Sequence, residues 1–322
     1  MKRRSLIGVL CAAAMLQGAT ALAQETFPNR VIRIVVPAPP GQGADTIARL
    51  IAQKITDQTG HAIIVENKAG ANMIIGSTEV ARAKPDGYTL LMSGTTASTA
   101  AALSGHKLQY DPIASFTPVS GLALNATVLV VPADFPANTV AEFIAMAKKE
   151  PNKYSYAAAN QSGRMAAEMF QMMAGIDLLH VPYQGTPQAL LDLSQGRVSA
   201  MMNGTMTAKP FVQRKQIKVL GISSTGRDPN YPDSPPIAES VKGYSFYAWQ
   251  ALMAPAGTPP ATVATLHKLV NNALNDPALK AKLTDSGLIV WPASPADVTK
   301  MSREELASWR QLDKRIAAAP KQ

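Results

Sequence analysis

The sequence predicts an α/β fold with two domains, in which mostly parallel sheets are flanked by helices and a cleft lies between the domains. Short apolar runs alternate with amphipathic helical patterns through most of the chain, which is typical of βαβ units. The alternation pauses near residue 125 and then restarts. The 322 residues also provide enough length for two domains of about 100–150 residues each.

The first residues have the pattern of a secretory signal peptide. A basic start at residues 2–4 precedes an apolar run at residues 6–16 and a small-x-small site that ends at Ala23. The apolar run is too short to span a bilayer comfortably. We expect a signal peptide of residues 1–23, cleavage after Ala23 and export to the periplasm. Cleavage removes Cys11, the single cysteine, so no disulfide, thiol nucleophile or thiolate ligand is expected in the mature chain.

A buried strand, a tight turn and a helix are predicted next. Residues 31–36 are mostly apolar, and the segment PAPPGQG after them ends the strand because prolines and glycines continue neither a strand nor a helix. From Ala44 the apolar residues recur at helical spacing. Free backbone N–H groups and the helix dipole at such a turn attract anions, although many α/β proteins use the same turn only to reverse the chain.

The remaining elements follow the same alternation. Further strands are predicted at residues 61–65, 88–92, 116–124, 127–131, 153–157, 178–181, 198–202, 217–222 and 246–254. Helices are predicted at residues 73–83, 140–149, 164–174, 187–193 and 205–214, and in the tail at 260–275, 277–286 and 295–319. A tail that returns to cover the first domain would make that domain discontinuous, with residues 24–124 plus 247–322. Residues 125–246 would then form a continuous second domain.

Charge and histidine spacing argue against several function classes. The formal net charge of +9 comes from scattered lysines and arginines, so we predict no nucleic-acid partner. No histidine lies three to five residues from another, so we predict no zinc site. Neither a Gly-x-Ser-x-Gly elbow nor a phosphate-loop motif occurs. We therefore predict no catalytic residue, no metal and no cofactor.

Isolated chemical groups have structural interpretations. His180 follows two leucines and is interpreted as a buried structural residue. The adjacent Glu304 and Glu305 are interpreted as a solvated helix face.

Loops rich in glycine, hydroxyl and amide side chains follow the predicted strands. They lie at residues 41–45, 93–99, 158–164 and 184–186, with Asn203 and Gly204 after a further strand. Helix capping explains these residue types as well as ligand binding does. In a cleft between two domains, such loops would suit a small carboxylate. Two or three charge-assisted hydrogen bonds of about 1.5–3 kcal/mol each would offset the cost of burying it.

Six segments of the sequence occur in the order and spacing of one protein family. They are PNRVIRIVVPAPPGQGADTIAR, VENKAG, AKPDGYTLL, SFTPVSGLA, HVPYQGTPQALLDLSQGRVSAMM and LMAPAGTPP. On these motifs the sequence resembles the periplasmic solute-binding receptors of tripartite tricarboxylate transporters, the Bug or TctC family. The resemblance covers nearly all of the mature chain. It implies a two-domain periplasmic-binding-protein (Venus flytrap) fold with a cleft for a small carboxylated solute, such as a di- or tricarboxylate or an aromatic acid, or for an amide. It also implies delivery to inner-membrane permease subunits, and we expect a monomer.

The candidate ligand-binding residues combine these loops with positions that the resemblance implies. In the family, the turn at residues 41–45 and the loop at residues 93–96 contribute to the pocket. Asp45 is expected to orient the turn and cap the helix rather than touch an anion. Trp249 and Tyr247 are expected either to wall the cleft or to pack in the core. The full set is Ala38, Gly41, Gln42, Gly43, Ala44, Asp45, Gly94, Thr95, Thr96, Ala159, Asn160, Gln161, Ser162, Arg164, Gln184, Gly185 and Asn203.

Several positions depart from the family pattern. Ala38 stands where the family usually has a large aromatic residue, which implies a roomier pocket or a missing stacking wall. The loop at residues 158–164 is shorter than usual and ends at Arg164, and Asn203 stands where Asp is frequent. These changes make the cleft more positive. We hypothesise that Arg164 pairs with a ligand carboxylate, and the alternative is that Arg164 caps a surface turn.

Two other function classes stay open. A sensor subunit that presents its closed form to a signalling partner has the same sequence features as an uptake receptor. An enzyme on a similar two-lobed scaffold would need a cysteine-tethered cofactor or a base beside a nucleophile. The mature chain has no cysteine, and its histidines are far apart in sequence.

Overall fold

The computed structural model describes residues 27–71, 73–95, 108–228 and 230–318, with the side chains of the last helix described to residue 310. The strands within these residues are β1 Ile32–Val36, β2 Ile63–Asn67, β3 Thr89–Gly94, β4 Phe116–Pro132, β5 Ser155–Ala158, β6 Leu179–Pro182, β7 Ala200–Gly204, β8 Ile217–Ile222, β9 Tyr247–Pro255 and β10 Ile289–Val290. The α-helices are α1 Gly43–Thr59, α2 Ile74–Ala81, α3 Val140–Lys149, α4 Gln161–Ala174, α5 Thr186–Ser194, α6 Thr205–Gln213, α7 Pro260–Leu274, α8 Pro277–Asp285 and α9 Pro295–Ala318. A short 3-10 helix spans Ile237–Glu239.

The strands form one mixed sheet with the order β2-β1-β3-β9-β4-β7-β5-β6, and β8 and β10 also pair with β4. β1 pairs in parallel with β2 and β3, and β5 pairs in parallel with β6 and β7. All pairs made by β4 and β9 are antiparallel. The predicted α/β fold is confirmed, with its parallel pairs confined to the two outer parts of the sheet.

The long strand β4 joins these two parts. The prediction of two strands separated at Asn125 and Ala126 is wrong, because β4 runs unbroken through 17 residues. Residues 116–126 pair with β9, whereas residues 127–132 pair with β7 and β8. A polar residue at this point does not end the strand, since Asn125 still pairs with Ala248, Ala126 with Tyr247 and Thr127 with Gly204.

We name the two parts by their strands. The first sheet half contains β1, β2, β3, β9, β10 and residues 116–126 of β4. The second sheet half contains β5 to β8 and residues 127–132 of β4. The predicted domain boundaries at residues 124/125 and 246/247 lie beside this change of partners, and the division into domains stays a prediction.

Apolar helix faces cover both sheet halves. On the first half, Ile47 and Ile51 of α1 share a buried cluster with Leu266 and Val270 of α7. On the second half, buried side chains of α3 and α4 pack together with those of β4, β5 and β7. Burying each of these large side chains contributes about 1.5–3 kcal/mol to folding. None of the described helices is both long enough and apolar enough to cross a membrane.

The last helix, α9, packs against both sheet halves. Val298 near its start lies in a buried cluster with Val35 of β1 and Trp249 of β9. Trp309, three turns later, lies in the cluster of the second half with Leu129 of β4. The tail therefore packs against both sheet halves, and its assignment to the first domain stays a prediction.

Two element ends differ from the prediction in a way that affects the predicted loops. β3 continues through Ser93 and Gly94, so these residues are part of the strand. α4 begins at Gln161 rather than Arg164, because the side-chain oxygen of Asn160 accepts a hydrogen bond from the Gly163 N–H at 2.8 Å and caps the helix there.

Candidate functional site

A cavity of about 270 Å³ lies where β4 and β9 connect the two sheet halves. This volume is close to the lower end of the roughly 300–1,000 Å³ range of small-molecule sites. The first sheet half contributes the ends of β1 and β3 and the start of α1 to its lining. The second sheet half contributes the end of β7 and the starts of α4, α5 and α6. The cavity therefore suits a small ligand that contacts both halves.

The described lining residues are neutral. They include no Asp, Glu, Lys, Arg or His, and their polar groups are hydroxyls, amides and backbone. Four helices begin at the cavity, and each places a residue of its first turn in the lining: Ala44 in α1, Ser162 in α4, Thr186 in α5 and Thr207 in α6. Helix N-termini favour anions, because their backbone N–H groups and dipoles point outward. The cavity is therefore suited to an anion without presenting a cationic side chain.

The turn between β1 and α1 is fixed by Asp45. One carboxylate oxygen accepts the Gly41 N–H at 2.8 Å, and the other accepts Arg49 Nε at 3.0 Å and Asn67 Nδ2 at 2.9 Å. Burial opposes ionisation of Asp45, but the hydrogen bonds from Arg49, Gly41 and Asn67 outweigh it and hold the pKa of the carboxyl below its usual value. Asp45 thus orients the turn, and it does not line the cavity.

The second half of the cavity is built by close contacts between helix starts and β7. A Cβ atom on Gly163 would lie 2.7 Å from the Met202 carbonyl oxygen, so only glycine lets α4 approach the strand this closely. Asn203 at the end of β7 donates from Nδ2 to the Thr207 hydroxyl of α6 at 2.8 Å. These contacts fix the amide and hydroxyl groups that face the cavity.

The wall made by β3 and β9 has a buried carboxyl behind it. Thr95 and Trp249 line the cavity, and the Trp249 backbone N–H donates to the Thr95 hydroxyl at 3.0 Å. The Trp249 indole Nε1 donates to Glu305 Oε2 of α9 at 2.7 Å. The interpretation of Glu305 as a solvated residue is wrong, because it is only 8% exposed. Burial raises the pKa of Glu305 to about 8, although hydrogen bonds from Trp249 and Thr95 act in the opposite direction.

Two buried polar atoms of lining residues have no hydrogen-bond partner in the described structure. They are the hydroxyl oxygen of Thr127 in β4 and the side-chain oxygen Oε1 of Gln250 in β9. A buried polar atom without a partner costs about 1–3 kcal/mol. A ligand with hydrogen-bonding groups at both atoms would remove this cost.

The structure brings together part of the predicted site. Of the predicted residues, seven line the cavity: Ala38, Ala44, Gly94, Thr95, Asn160, Ser162 and Asn203. Trp249 lines it too, whereas Tyr247 does not. The remaining described candidates lie outside the lining, and they are Gly41, Gln42, Gly43, Asp45, Ala159, Gln161, Arg164, Gln184 and Gly185. Thr96 lies outside the described residues. Ligand contact by any of these residues stays a prediction.

Arg164 does not line the cavity. It acts electrostatically on Tyr156 of β5 and His180 of β6, and its buried Nε atom has no hydrogen-bond partner among the described groups. The longer helix explains this position, because in α4 Arg164 follows the lining residues Ser162 and Gly163 by about 100° of rotation per residue.

His180 is exposed rather than buried as predicted, since β6 is an edge strand. One face of its ring stacks on Tyr156.

Sequence reasoning missed lining residues inside strands. Asn125 and Thr127 lie in β4, and Gln250 lies in β9. The available signal was the presence of single amide or hydroxyl residues within otherwise apolar strand patterns, which favours either a buried polar network or a ligand contact. Within the described residues, no cluster of His, Cys, Asp or Glu could hold a metal ion.

Comparison with known proteins identifies the family. Residues 47–317 match the model of the tripartite tricarboxylate transporter family receptor. A UPF0065 protein from the tcbD-tcbE intergenic region of Pseudomonas sp. strain P51 is 34% identical over 97% of this chain and 93% of its own length. MatC from Rhodopseudomonas palustris, solved with bound malate, is 32% identical over 89% of this chain and 100% of its own, with a TM-score of 0.72. Another R. palustris protein, solved with adipate, is 30% identical over 89% of this chain and 97% of its own, with a TM-score of 0.75. The chain therefore belongs to the receptor family of the tripartite tricarboxylate transporters and has the periplasmic-binding-protein fold.

Proposed function

We propose that this protein is an extracytoplasmic receptor that holds one small carboxylate between its two sheet halves and delivers it to the membrane subunits of a tripartite tricarboxylate transporter. The observation that carries this proposal is the arrangement of four helix starts around a cavity whose described lining is neutral. The adipate and malate in structures of similar proteins support a dicarboxylate or an acid of similar size. The small cavity volume supports the same size class.

The two sheet halves have different roles in this proposal. Hydroxyl and amide groups at the starts of α4, α5 and α6 would bind one carboxylate from the second half, with Ser162, Thr186 and Thr207 as the nearest side chains. Thr95 and the start of α1 would face the ligand from the first half. Because donors come from both sides, a ligand would stabilise the arrangement in which the two halves are close together.

The ligand is proposed to leave chemically unchanged. Histidine, cysteine, lysine and carboxylate side chains usually act as bases, acids or nucleophiles, and the described lining contains none of them. Within that lining, no such base lies beside the serine and threonine hydroxyls. Glu305 contacts Thr95 from behind the wall, and its burial favours the neutral carboxyl, which is not a base. Export rests on the signal-peptide pattern of residues 1–23.

A thermal-shift screen of the mature chain from Gln24 tests the proposal. The panel contains adipate and malate, with adipamide as a neutral analogue of the same length. We expect acids to raise the melting temperature and adipamide to leave it unchanged, since a ligand at 100 times its Kd adds about 2.7 kcal/mol of stability. If no acid stabilises the protein, or if adipamide stabilises it as well as adipate, the carboxylate site is wrong. NMR of the recovered ligand would detect any chemical change.

A further inference from the structure

Glu305 lies directly behind the ligand cavity although it belongs to the last helix. Its Oε2 atom accepts the indole N–H of Trp249 at 2.7 Å, and its carboxyl also contacts the Thr95 hydroxyl. Both of these residues line the cavity. Glu305 itself is buried and does not line the cavity. Thr95 and Trp249 therefore lie between this carboxyl and any ligand in the cavity.

Among the described residues, no positively charged group acts on Glu305 to balance an ionised carboxylate. The strands β3, β4 and β9 contain no Asp, Glu, Lys, Arg or His, and the neighbours Arg303 and Glu304 on α9 are exposed. Titratable groups on nearby elements have other partners: Tyr110 contacts Ser77, Tyr247 contacts Thr225, Glu79 pairs with Arg33, and Glu168 accepts from Tyr156. Burial without a cation favours the neutral carboxyl.

We propose that Glu305 is a positioning residue of the ligand site and that the protein binds a carboxylate anion together with a proton held on Glu305. The proposal rests on the proposed function. An ionised Glu305 and a bound anion would be two like charges in a region of low dielectric, so each disfavours the other. A neutral Glu305 removes this repulsion.

The proton also sets the direction of hydrogen bonds in the cavity wall. When Glu305 is ionised, it accepts from both the Trp249 indole and the Thr95 hydroxyl, so the Thr95 proton points away from the cavity. When Glu305 is neutral, its O–H can donate to the Thr95 oxygen, and the Thr95 O–H can then donate to a ligand carboxylate. No covalent bond changes except the O–H bond of the Glu305 carboxyl, whose proton comes from solvent.

Calorimetric titration with adipate and with malate between pH 6.5 and 9.5 tests the inference. Both acids are ionised throughout this range, so a change in affinity reports on the protein. We expect affinity to fall by about tenfold between pH 7.5 and pH 9.5, with uptake of a proton at pH 8.5 when buffers of different ionisation enthalpy are compared. Binding at pH 6.5 that stays constant to pH 9.5, without proton uptake, would overturn the inference and leave the proposed function intact. Absence of binding at pH 6.5 would instead overturn the proposed function together with the inference.

Two variants distinguish the positioning role of Glu305 from a general loss of structure. Glu305→Gln keeps the acceptor for Trp249 and provides an amide donor for Thr95, so it imitates the neutral carboxyl at every pH. We expect its affinity to show no fall between pH 7.5 and pH 9.5. Glu304→Gln is the matched control, because Glu304 is the exposed neighbour, and it should keep the pH dependence of the wild type. A Glu305→Gln variant that retains the fall in affinity would refute the role of Glu305, and the proton-uptake measurement on the wild type does not depend on the variant.

Discussion

The carboxylate of Asp45 accepts the Gly41 N–H at 2.8 Å, so the first turn of α1 holds the chain reversal after β1 in one conformation. The same carboxylate bonds to Arg49 and Asn67, and Asn67 also donates to the Ala38 carbonyl oxygen at 3.0 Å. Ala38 lines the cavity. One buried acid therefore connects the start of a helix, the end of β2 and the cavity wall.

Replacing this acid should weaken the fold near neutral pH. Asp45→Asn loses the charge that Arg49 contacts, and we expect a loss of about 1–3 kcal/mol in the free energy of unfolding at pH 7. The pKa of Asp45 is lowered in the folded protein. Its stabilising contribution is therefore present above the unfolded value of about 3.9 and is lost as the pH falls through the folded value. Urea unfolding at pH 7 and pH 3 measures both effects, and the difference between variant and wild type should shrink at pH 3. Asp57→Asn, an exposed acid on the same helix, is the control and should change little at either pH.

The closeness of α4 and β7 gives a second prediction. Gly163→Ala places a Cβ atom 2.7 Å from the Met202 carbonyl oxygen, so the helix start must move away from the strand. We expect a loss of about 1–3 kcal/mol of stability and at least a tenfold loss of acid affinity, because Ser162 moves with the helix. Gly226→Ala is the control, since nothing lies within 4 Å of its Cβ position. Equal affinities of the two variants would contradict the assignment of the α4 start to the site.

A substitution at Thr127 distinguishes a role of its hydroxyl in ligand binding from a role in folding. Thr127→Val keeps the side-chain shape and removes a buried hydroxyl that has no hydrogen-bond partner among the described residues. Stability should therefore stay the same or rise by about 1 kcal/mol, because the substitution removes the unsatisfied hydroxyl at this position. Acid affinity should fall by about three- to tenfold if the hydroxyl bonds to the ligand. Chemical unfolding and calorimetry on one preparation measure both, and a fall in stability without a fall in affinity would show that the hydroxyl serves the fold.

Glu305 should make the ligand-free protein less stable as the pH rises. Its folded pKa of about 8 exceeds the value of about 4.3 expected when it is unfolded. The folded state therefore holds the proton more tightly, and this contribution is complete below the unfolded pKa and is lost as the pH rises through the folded pKa. Glu305→Gln should be about 3 kcal/mol more stable than the wild type at pH 7 and nearly equal to it at pH 4. Unfolding curves that differ by the same amount at both pH values would contradict the raised pKa.

We expect Arg164, unlike the residues that line the cavity, to contribute little to ligand affinity. Because Arg164 does not line the cavity and acts on Tyr156 and His180 instead, Arg164→Ala should leave adipate affinity within about twofold of the wild type. Calorimetry at pH 7 is the measurement. A loss of tenfold or more would restore the earlier hypothesis that the guanidinium pairs with a ligand carboxylate.

Local sequence patterns predicted much of the fold and about a third of the residues that line the cavity. The strand, turn and helix that lead to Ala44 could be predicted because each residue type has a local reason to be there. The same holds for Asn160, whose position before a helix favours a cap. Arg164 was misplaced because the predicted helix began three residues late, and an error of that size turns a side chain to another face.

Other features depend on packing that the sequence does not display. Thr127 and Gln250 lie inside apolar strands, so only the change of strand partners brings them to the cavity. Glu305 follows another glutamate on an amphipathic helix, and its burial results from Trp249, which lies 56 positions earlier in the chain. Sequence reasoning assigns such a pair to solvent because paired charges on helices usually are exposed.

The bridging position of α9 has a practical consequence. Since this helix touches the first sheet half through Val298 and the second through Trp309, any hinge movement between the halves must bend it, slide it or detach one of its ends. Fluorescence of Trp309 would then respond to the distance between the halves, even though Trp309 does not line the cavity. The fluorescence of the helix α9 would therefore report how closely the two halves of this receptor approach each other.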